Sequence, residues 1–192
     1  DRRWHAIHVV GRRAPEQAQR HAKIHFHRVD FTRLPVLPAV DDVFIALGTT
    51  ISVAGNQEAF RAVDHDAVLA LARQARAAGA TRLAVVSAMG ADTHSRIFYN
   101  RVKGETEDDL RQLGYPTLVI VRPSLLVGDR AALRQPNRIG ERFGQLAMGL
   151  FAPLIPADYR AIAASSVAGA MVRAIATGTP GTQVLLSGTM QR

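Results

Sequence analysis

Residues Arg82 to Glu105 read RLAVVSAMGADTHSRIFYNRVKGE. Arg82 to Ala88 is an apolar run of the length expected for a buried strand. After a short glycine-containing loop the spacing turns helical from about Phe98 to Leu113, and Gly114 closes the helix. The same stretch concentrates rare polar residues. Tyr99 is one of 3 tyrosines in the chain, and Lys103 stands where basic residues are otherwise almost all arginine. Four positions apart on a helix, they share one face. Ser87 sits at the carboxyl end of the strand that precedes them.

Working outward, similar apolar runs recur. His5 to Val10, Lys23 to Asp30, Asp42 to Gly48 and Thr117 to Val121 read as strands, with a last short one in TQVLLSG. Between them lie helical patterns. GNQEAFRAVDHDAVLALARQARAAGA spaces Val63, Ala67, Val68, Leu71, Ala72 and Ala75 at helical intervals, with Gly79 as its C-cap. IGERFGQLAMGLF and ASSVAGAMVRAIATG follow as further helices. This alternation predicts an α/β fold with a doubly wound parallel sheet in one domain spanning residues 1–192. A small substrate or lid region is expected over about residues 135–192. Ligands of such sheets bind at the carboxyl ends of the strands.

Composition narrows the function classes. The chain has 192 residues, 47% of them hydrophobic, which suits a globular domain with a sizeable core. It has no cysteine, so disulfides and thiolate chemistry are excluded. No apolar run reaches the length of a membrane span, and DRRWH does not resemble a signal peptide, so a cytoplasmic protein is expected. The formal charge of +8 comes from scattered arginines rather than a basic tract, which argues against nucleic acid as a partner. Of His5, His8, His21, His25 and His27, only His21 and His25 have the separation of a metal-binding helix, and they straddle a predicted strand start, so all read as surface residues and no metal is expected.

Ser87, Tyr99 and Lys103 together suit carbonyl–alcohol redox chemistry. A phenol titrates near ~10 and needs help to exchange protons at neutral pH. A neighbouring ammonium favours the phenolate, and a serine hydroxyl can orient the carbonyl oxygen. Hydride would come from a cofactor. At the end of the first visible strand, Arg12 and Arg13 present two guanidiniums, which suits a phosphate monoester. Asp30 could start a turn, and Leu47 and Gly48 end a strand where a small residue permits close approach to the backbone. LGTTISVAG lacks the ending of a phosphate loop, so Thr49 and Thr50 read as loop residues beside a ligand.

VVSAMGAD, SRIFYNRVKGETEDDL, ALGTT and VIVRPSLLVGDR together resemble the short-chain dehydrogenase/reductase superfamily. Within it they look like the atypical branch of Tat-interacting oxidoreductase-like proteins and their bacterial relatives. The resemblance implies a Rossmann-like domain that binds NADP(H) and acts on a small-molecule substrate. It implies Tyr99 as proton donor or acceptor, Lys103 on the nicotinamide ribose and Ser87 polarising the carbonyl. Arg12 and Arg13 would grip the 2′-phosphate, with Asp30 and Phe31 on the adenine side. Leu126 and Arg134 would lie near the nicotinamide and phosphate portions. The branch also includes regulators, so a cofactor-sensing protein with little turnover is an alternative, as is a nucleotide-sugar epimerase-like enzyme.

A dinucleotide fold needs a strand, a glycine-rich turn and a helix whose N-terminus holds the pyrophosphate. No strand followed by G-x-x-G-x-x-G occurs in the sequence. The expectation is a Rossmann-like sheet without its first β-strand and glycine-rich helix, about 20–30 residues in all. The neighbours of the absent strand would then have exposed edges, which pairing in a homo-oligomer could cover.

Overall fold

The computed structural model describes residues 3–14, 21–127 and 156–191. The expected strands form, slightly trimmed. They are β1 (Ile7–Gly11), β2 (Ile24–Arg28), β3 (Asp42–Ile45), β4 (Arg82–Val86) and β5 (Thr117–Arg122). Two short strands follow, β6 (Leu126–Val127) and β7 (Ile162–Ala163), and then β8 (Gly181–Leu186). All pairings among the described residues are parallel.

The main sheet has the order β3-β4-β5-β8. Its register sets Asp42 beside Arg82, Arg82 beside Thr117, and Thr117 beside Gly181. Period-two alternation sends Leu83, Val85, Leu118 and Ile120 into one core, and Ala84, Val119 and Val121 into another. The first core is completed by α3 (Val68–Ala77) through Val68, Leu69 and Ala72. The second is completed by α5 (Ala164–Thr177) through Val167, Met171 and Ile175. Both faces of β4 and β5 are therefore covered, which is why these strands are nearly continuous in apolar residues.

A doubly wound parallel sheet without its first strand was the expectation, and the structure has that gap. β1 and β2 pair only with each other, as a separate two-stranded sheet. Between β1 and β3 opens a groove of about 1400 Å³. The large apolar side chains of Ile7 and Phe44 on its flanking strands are 41% and 40% exposed. The physical reason is that no described strand offers backbone partners to the facing edges of β1 and β3. A polar tether bridges the gap instead. Trp4 Nε1 donates to Asp42 Oδ2 at 2.7 Å, and Lys23 Nζ donates to Trp4 O at 3.1 Å. Edge-on packing of Trp4 against Phe44 adds an apolar contact.

The segment read as one long helix is helical without a break from Gln57 to Ala77, and a separate short helix precedes it. Thr50 caps α1 (Ile51–Ala54), and Gly55, at φ 94°, ends it. Asn56 caps α2 (Gln57–Arg61) by accepting from the Ala59 N–H at 2.7 Å. A π-helical turn over Ala62–Ala67 then leads into α3. The Asn56 cap starts this helix, and the wider π turn inside it carries Asp64 and His65 inward.

Helix α4 (Phe98–Gln112) buries Val102, Lys103, Gly104, Thr106, Glu107 and Leu110. Gly104 explains how close this helix can come to the loop that precedes it. A Cβ there would lie 2.4 Å from the Asp92 carbonyl carbon and the Thr93 nitrogen, backbone atoms that cannot swing aside. Gly104→Ala is therefore expected to cost about 1–3 kcal/mol or more, because overpacking forces the backbone to shift. The urea midpoint of the variant against the parent chain measures it. An unchanged midpoint would mean that the 92–93 loop yields freely.

Candidate functional site

Three polar residues from α4 and the β4 end come together, each with a partner the sequence reading did not supply. Ser87 prolongs the sheet ladder by donating its N–H to Val121 O at 2.8 Å. Its hydroxyl is not open to a ligand. It donates to Glu107 Oε1 at 2.6 Å. Glu107 is 1% exposed and also accepts from Arg122 through both Nε at 2.9 Å and Nη2 at 2.6 Å. Arg111 adds a further bond at 3.1 Å. The carboxylate bonds hold the Arg122 guanidinium above its ordinary pKa.

Lys103 is equally committed. Its side chain is 7% exposed, and Nζ lies 2.7 Å from Oδ1 of Asp64, which is 1% exposed. The other Asp64 oxygen accepts the Thr49 N–H at 2.7 Å. Gly48 packs directly on this pair, since a Cβ there would meet Asp64 Oδ1 at 3.1 Å and Lys103 Nζ at 3.9 Å. The small residue at the end of β3 thus makes room for the ion pair. A void of about 10 Å³ separates Asp64 and Lys103 from Ser87 and Glu107.

Tyr99 is half-buried, with the Phe60 ring tilted against it at 5.4 Å. Burial raises its phenol pKa, and the Asp64 carboxylate raises it further. This corrects the expectation of a phenol lowered by Lys103. Burial comes first and the Asp64 carboxylate second, and both favour the neutral phenol.

The remaining predicted contacts divide by position. Arg12, Arg13, Phe31 and Leu47 all line the groove between β1 and β3. Asp30 does not. Its carboxylate accepts the Thr32 N–H at 2.9 Å and the Thr32 hydroxyl at 2.7 Å, which lowers its pKa and builds a turn. Leu126 pairs with Ile162 in the β6–β7 ribbon. Arg134, the helix read at IGERFGQLAMGLF and residues 135–155 of the expected lid lie outside the described residues. The histidines are not scattered. His8 Nδ1 lies 2.8 Å from His27 Nε2, and His8 stacks on His25. Burial, then these two neighbours, lowers the His8 pKa. Among the described residues no group of three or more His, Cys, Asp or Glu is arranged to hold a metal.

Sequence reasoning missed Asp64 and Glu107. Glu107 had a signal, because Tyr99, Lys103, Glu107 and Arg111 repeat every fourth residue along one face of α4. Asp64 had none, since its inward aim depends on the π turn.

No family model matches the chain. Solved structures share its architecture at low identity. MoeE5 in complex with UDP-glucose and NAD superposes with a TM-score of 0.68 at 15% identity, covering 94% of this chain and 67% of that one. The dTDP-4-dehydrorhamnose reductase of Bacillus anthracis, in complex with NADP, gives 0.59 at 14% identity, covering 94% and 75%. The chain has a Rossmann-like fold. Among curated proteins, it is 34% identical over 145 residues to the mitochondrial protein fmp52 of Emericella nidulans, covering 71% of this chain and 62% of that protein. It is 38% identical over 122 residues to mitochondrial FMP52 of Eremothecium gossypii, covering 64% of this chain and 54% of that protein. The chain thus spans less than two thirds of either relative's length. Their mitochondrial names overturn the expectation of a cytoplasmic protein, which rested on the absence of a span and of a leader pattern. It remains true that no helix among the described residues is long and apolar enough to cross a membrane.

Glu107 is the keystone of the Ser87 side. Glu107→Ala is expected to cost about 2–4 kcal/mol, because it strands one buried hydroxyl and a guanidinium that is only partly solvated. Arg111→Ala removes the more exposed partner and is expected to cost less than about 1 kcal/mol. Urea denaturation of both variants tests the ranking. Equal losses would refute it.

Proposed function

We propose that this chain is part of an NADP(H)-binding protein of the short-chain dehydrogenase/reductase superfamily that interconverts a carbonyl and an alcohol on a small molecule. The observation that carries this reading is the grouping of Ser87 and Lys103, with Tyr99 one turn before Lys103, at the carboxyl end of a parallel sheet. The atypical branch and a mitochondrial setting belong to the same proposal, on the motifs around Tyr99 and the likeness to the fungal relatives.

The residues lining the groove fit one end of such a cofactor. Arg12 and Arg13 follow β1 and offer paired guanidiniums for a phosphate monoester, while Phe31 and Leu47 give apolar surface on the same groove. A glycine-rich turn for the pyrophosphate is not found among the described residues. When bound, the nicotinamide supplies or accepts a hydride. In reduction Tyr99 gives its phenolic proton to the oxygen of the former carbonyl, and in oxidation its phenolate takes that proton back. Lys103, held by Asp64, stands one helical turn from the phenol. Ser87 can orient the carbonyl only by turning its hydroxyl away from Glu107.

That last requirement favours a second reading. With Ser87 and Lys103 already paired and the Tyr99 phenol raised, the site suits a protein that binds cofactor and turns over little.

Two measurements test these readings. Replacing Arg12 and Arg13 by alanine is expected to weaken NADPH at least about tenfold more than NADH, both titrated to about 1 mM. Equal losses would show that these arginines do not read the 2′-phosphate. In a screen of carbonyl compounds for NADPH oxidation, Tyr99→Phe is expected to abolish turnover while nucleotide affinity stays within a few-fold. Normal turnover in Tyr99→Phe would refute the proton-transfer role. NADPH binding without turnover on any compound would favour the sensor.

A further inference from the structure

Asp64 is a buried carboxylate for which the redox roles of Ser87, Tyr99 and Lys103 have no use. It stands in the π-helical turn at 1% exposure, and such turns are frequent at functional sites. Its Oδ1 has the Lys103 ammonium at 2.7 Å, yet the approach lacks hydrogen-bond geometry, so the contact is an ion pair alone. Its Oδ2 is fixed by the Thr49 amide at 2.7 Å. Gly48 closes the third side, 3.1 Å from Oδ1 to the position of an added Cβ. Phe60, one turn before Asp64, packs on Tyr99.

Several other charged groups on these elements are already matched. Arg61 of α2 pairs with Glu105 of α4, and His65 Nε2 lies 3.0 Å from Asp109 Oδ2. Glu107 is taken by Arg111 and Arg122. Among the described residues, Asp64 is the charge that acts on the Tyr99 phenol, and Lys103 is its ion-pair partner.

We propose that Asp64 is a positioning residue that draws the Lys103 ammonium to itself and cancels its charge at the Tyr99 phenol, with the Gly48–Thr49 turn as the latch that holds the carboxylate in place. This deepens the redox reading and rests on it for its functional meaning, since it concerns the residue cast there as proton donor. The consequence is that Lys103 assists Tyr99 only when the β3 turn releases Asp64. Cofactor binding at that turn is then coupled to the charge state of the phenol.

The test needs neither cofactor nor turnover, so it stands or falls separately from the activity screen. The near-ultraviolet phenolate absorbance of each protein is titrated against pH, and the signal of the same protein carrying Tyr99→Phe is subtracted to isolate Tyr99. Asp64→Asn is expected to lower the Tyr99 midpoint by about one pH unit or more, because the ammonium is then uncompensated. An unchanged or higher midpoint overturns the proposal. Should Asp64→Asn fail to fold, the double variant Asp64→Asn/Lys103→Met decides, because it leaves no buried charge unpaired. With both charges gone its midpoint is expected within about 0.5 unit of the parent, since the two cancelled. A midpoint a unit or more above the parent would show that Lys103 already acts on Tyr99 in the parent, and would overturn the proposal.

Discussion

The ion pair between Lys103 and Asp64 is the constraint around which the site is built. Each charge gives up its hydration on burial, at several kcal/mol apiece, and their attraction recovers this only with good geometry and further partners. Asp64 finds that partner in the Thr49 amide. One carboxylate thereby ties helix α4, the π turn and the end of β3 to each other. Such a pair adds little net stability, but it excludes arrangements in which either charge is left alone. It selects the register of α4 against the sheet, and so fixes where Tyr99 stands.

Glu107 has the corresponding role a helical turn further along α4. Tyr99, Lys103, Glu107 and Arg111 lie on one stripe of the helix, so the face that carries the chemistry also carries its supports. Arg122 at the end of β5 and Ser87 at the end of β4 are drawn to the same carboxylate. The ends of two adjacent strands are thus anchored to the helix by charge-assisted hydrogen bonds, which are stronger than neutral ones. Gly104 lies between Lys103 and its neighbours on the stripe, and its missing side chain lets the 92–93 loop close over the helix.

Much of this was legible in the residues. Apolar runs located β3, β4 and β5 because those strands are covered on both faces, and burial leaves a strong compositional trace. Tyr99 and Lys103 were legible through helical spacing. Their electrostatics were not, because the partner of Lys103 lies 39 positions upstream by numbering, in a turn whose π geometry no periodicity announces. The reading of a lowered phenol counted the ammonium and missed burial and, after it, the Asp64 carboxylate, both of which raise the pKa. Asp30 is the opposite case, since its Thr32 partner is local and the turn it builds was one of the readings its sequence offered.

The groove between β1 and β3 adds a different kind of constraint. A parallel strand pair alone is weak, and β1–β2 is tied to the main sheet through Trp4, Asp42 and Lys23. Arg82, from β4, also pairs with Asp42, so this one carboxylate joins both sheets at the amino end of β3. At the opposite, carboxyl ends, Arg12 and Arg13 of the β1 turn line the same groove as Leu47. The residue after Leu47 is Gly48, which touches the Asp64–Lys103 pair. A ligand that bridges the guanidiniums and the β3 turn would therefore do two things at once. It would couple the loosely tethered sheet to the rigid one, and it would press on the turn that holds Asp64. In this architecture order at the groove and charge at the phenol are set by the same few residues.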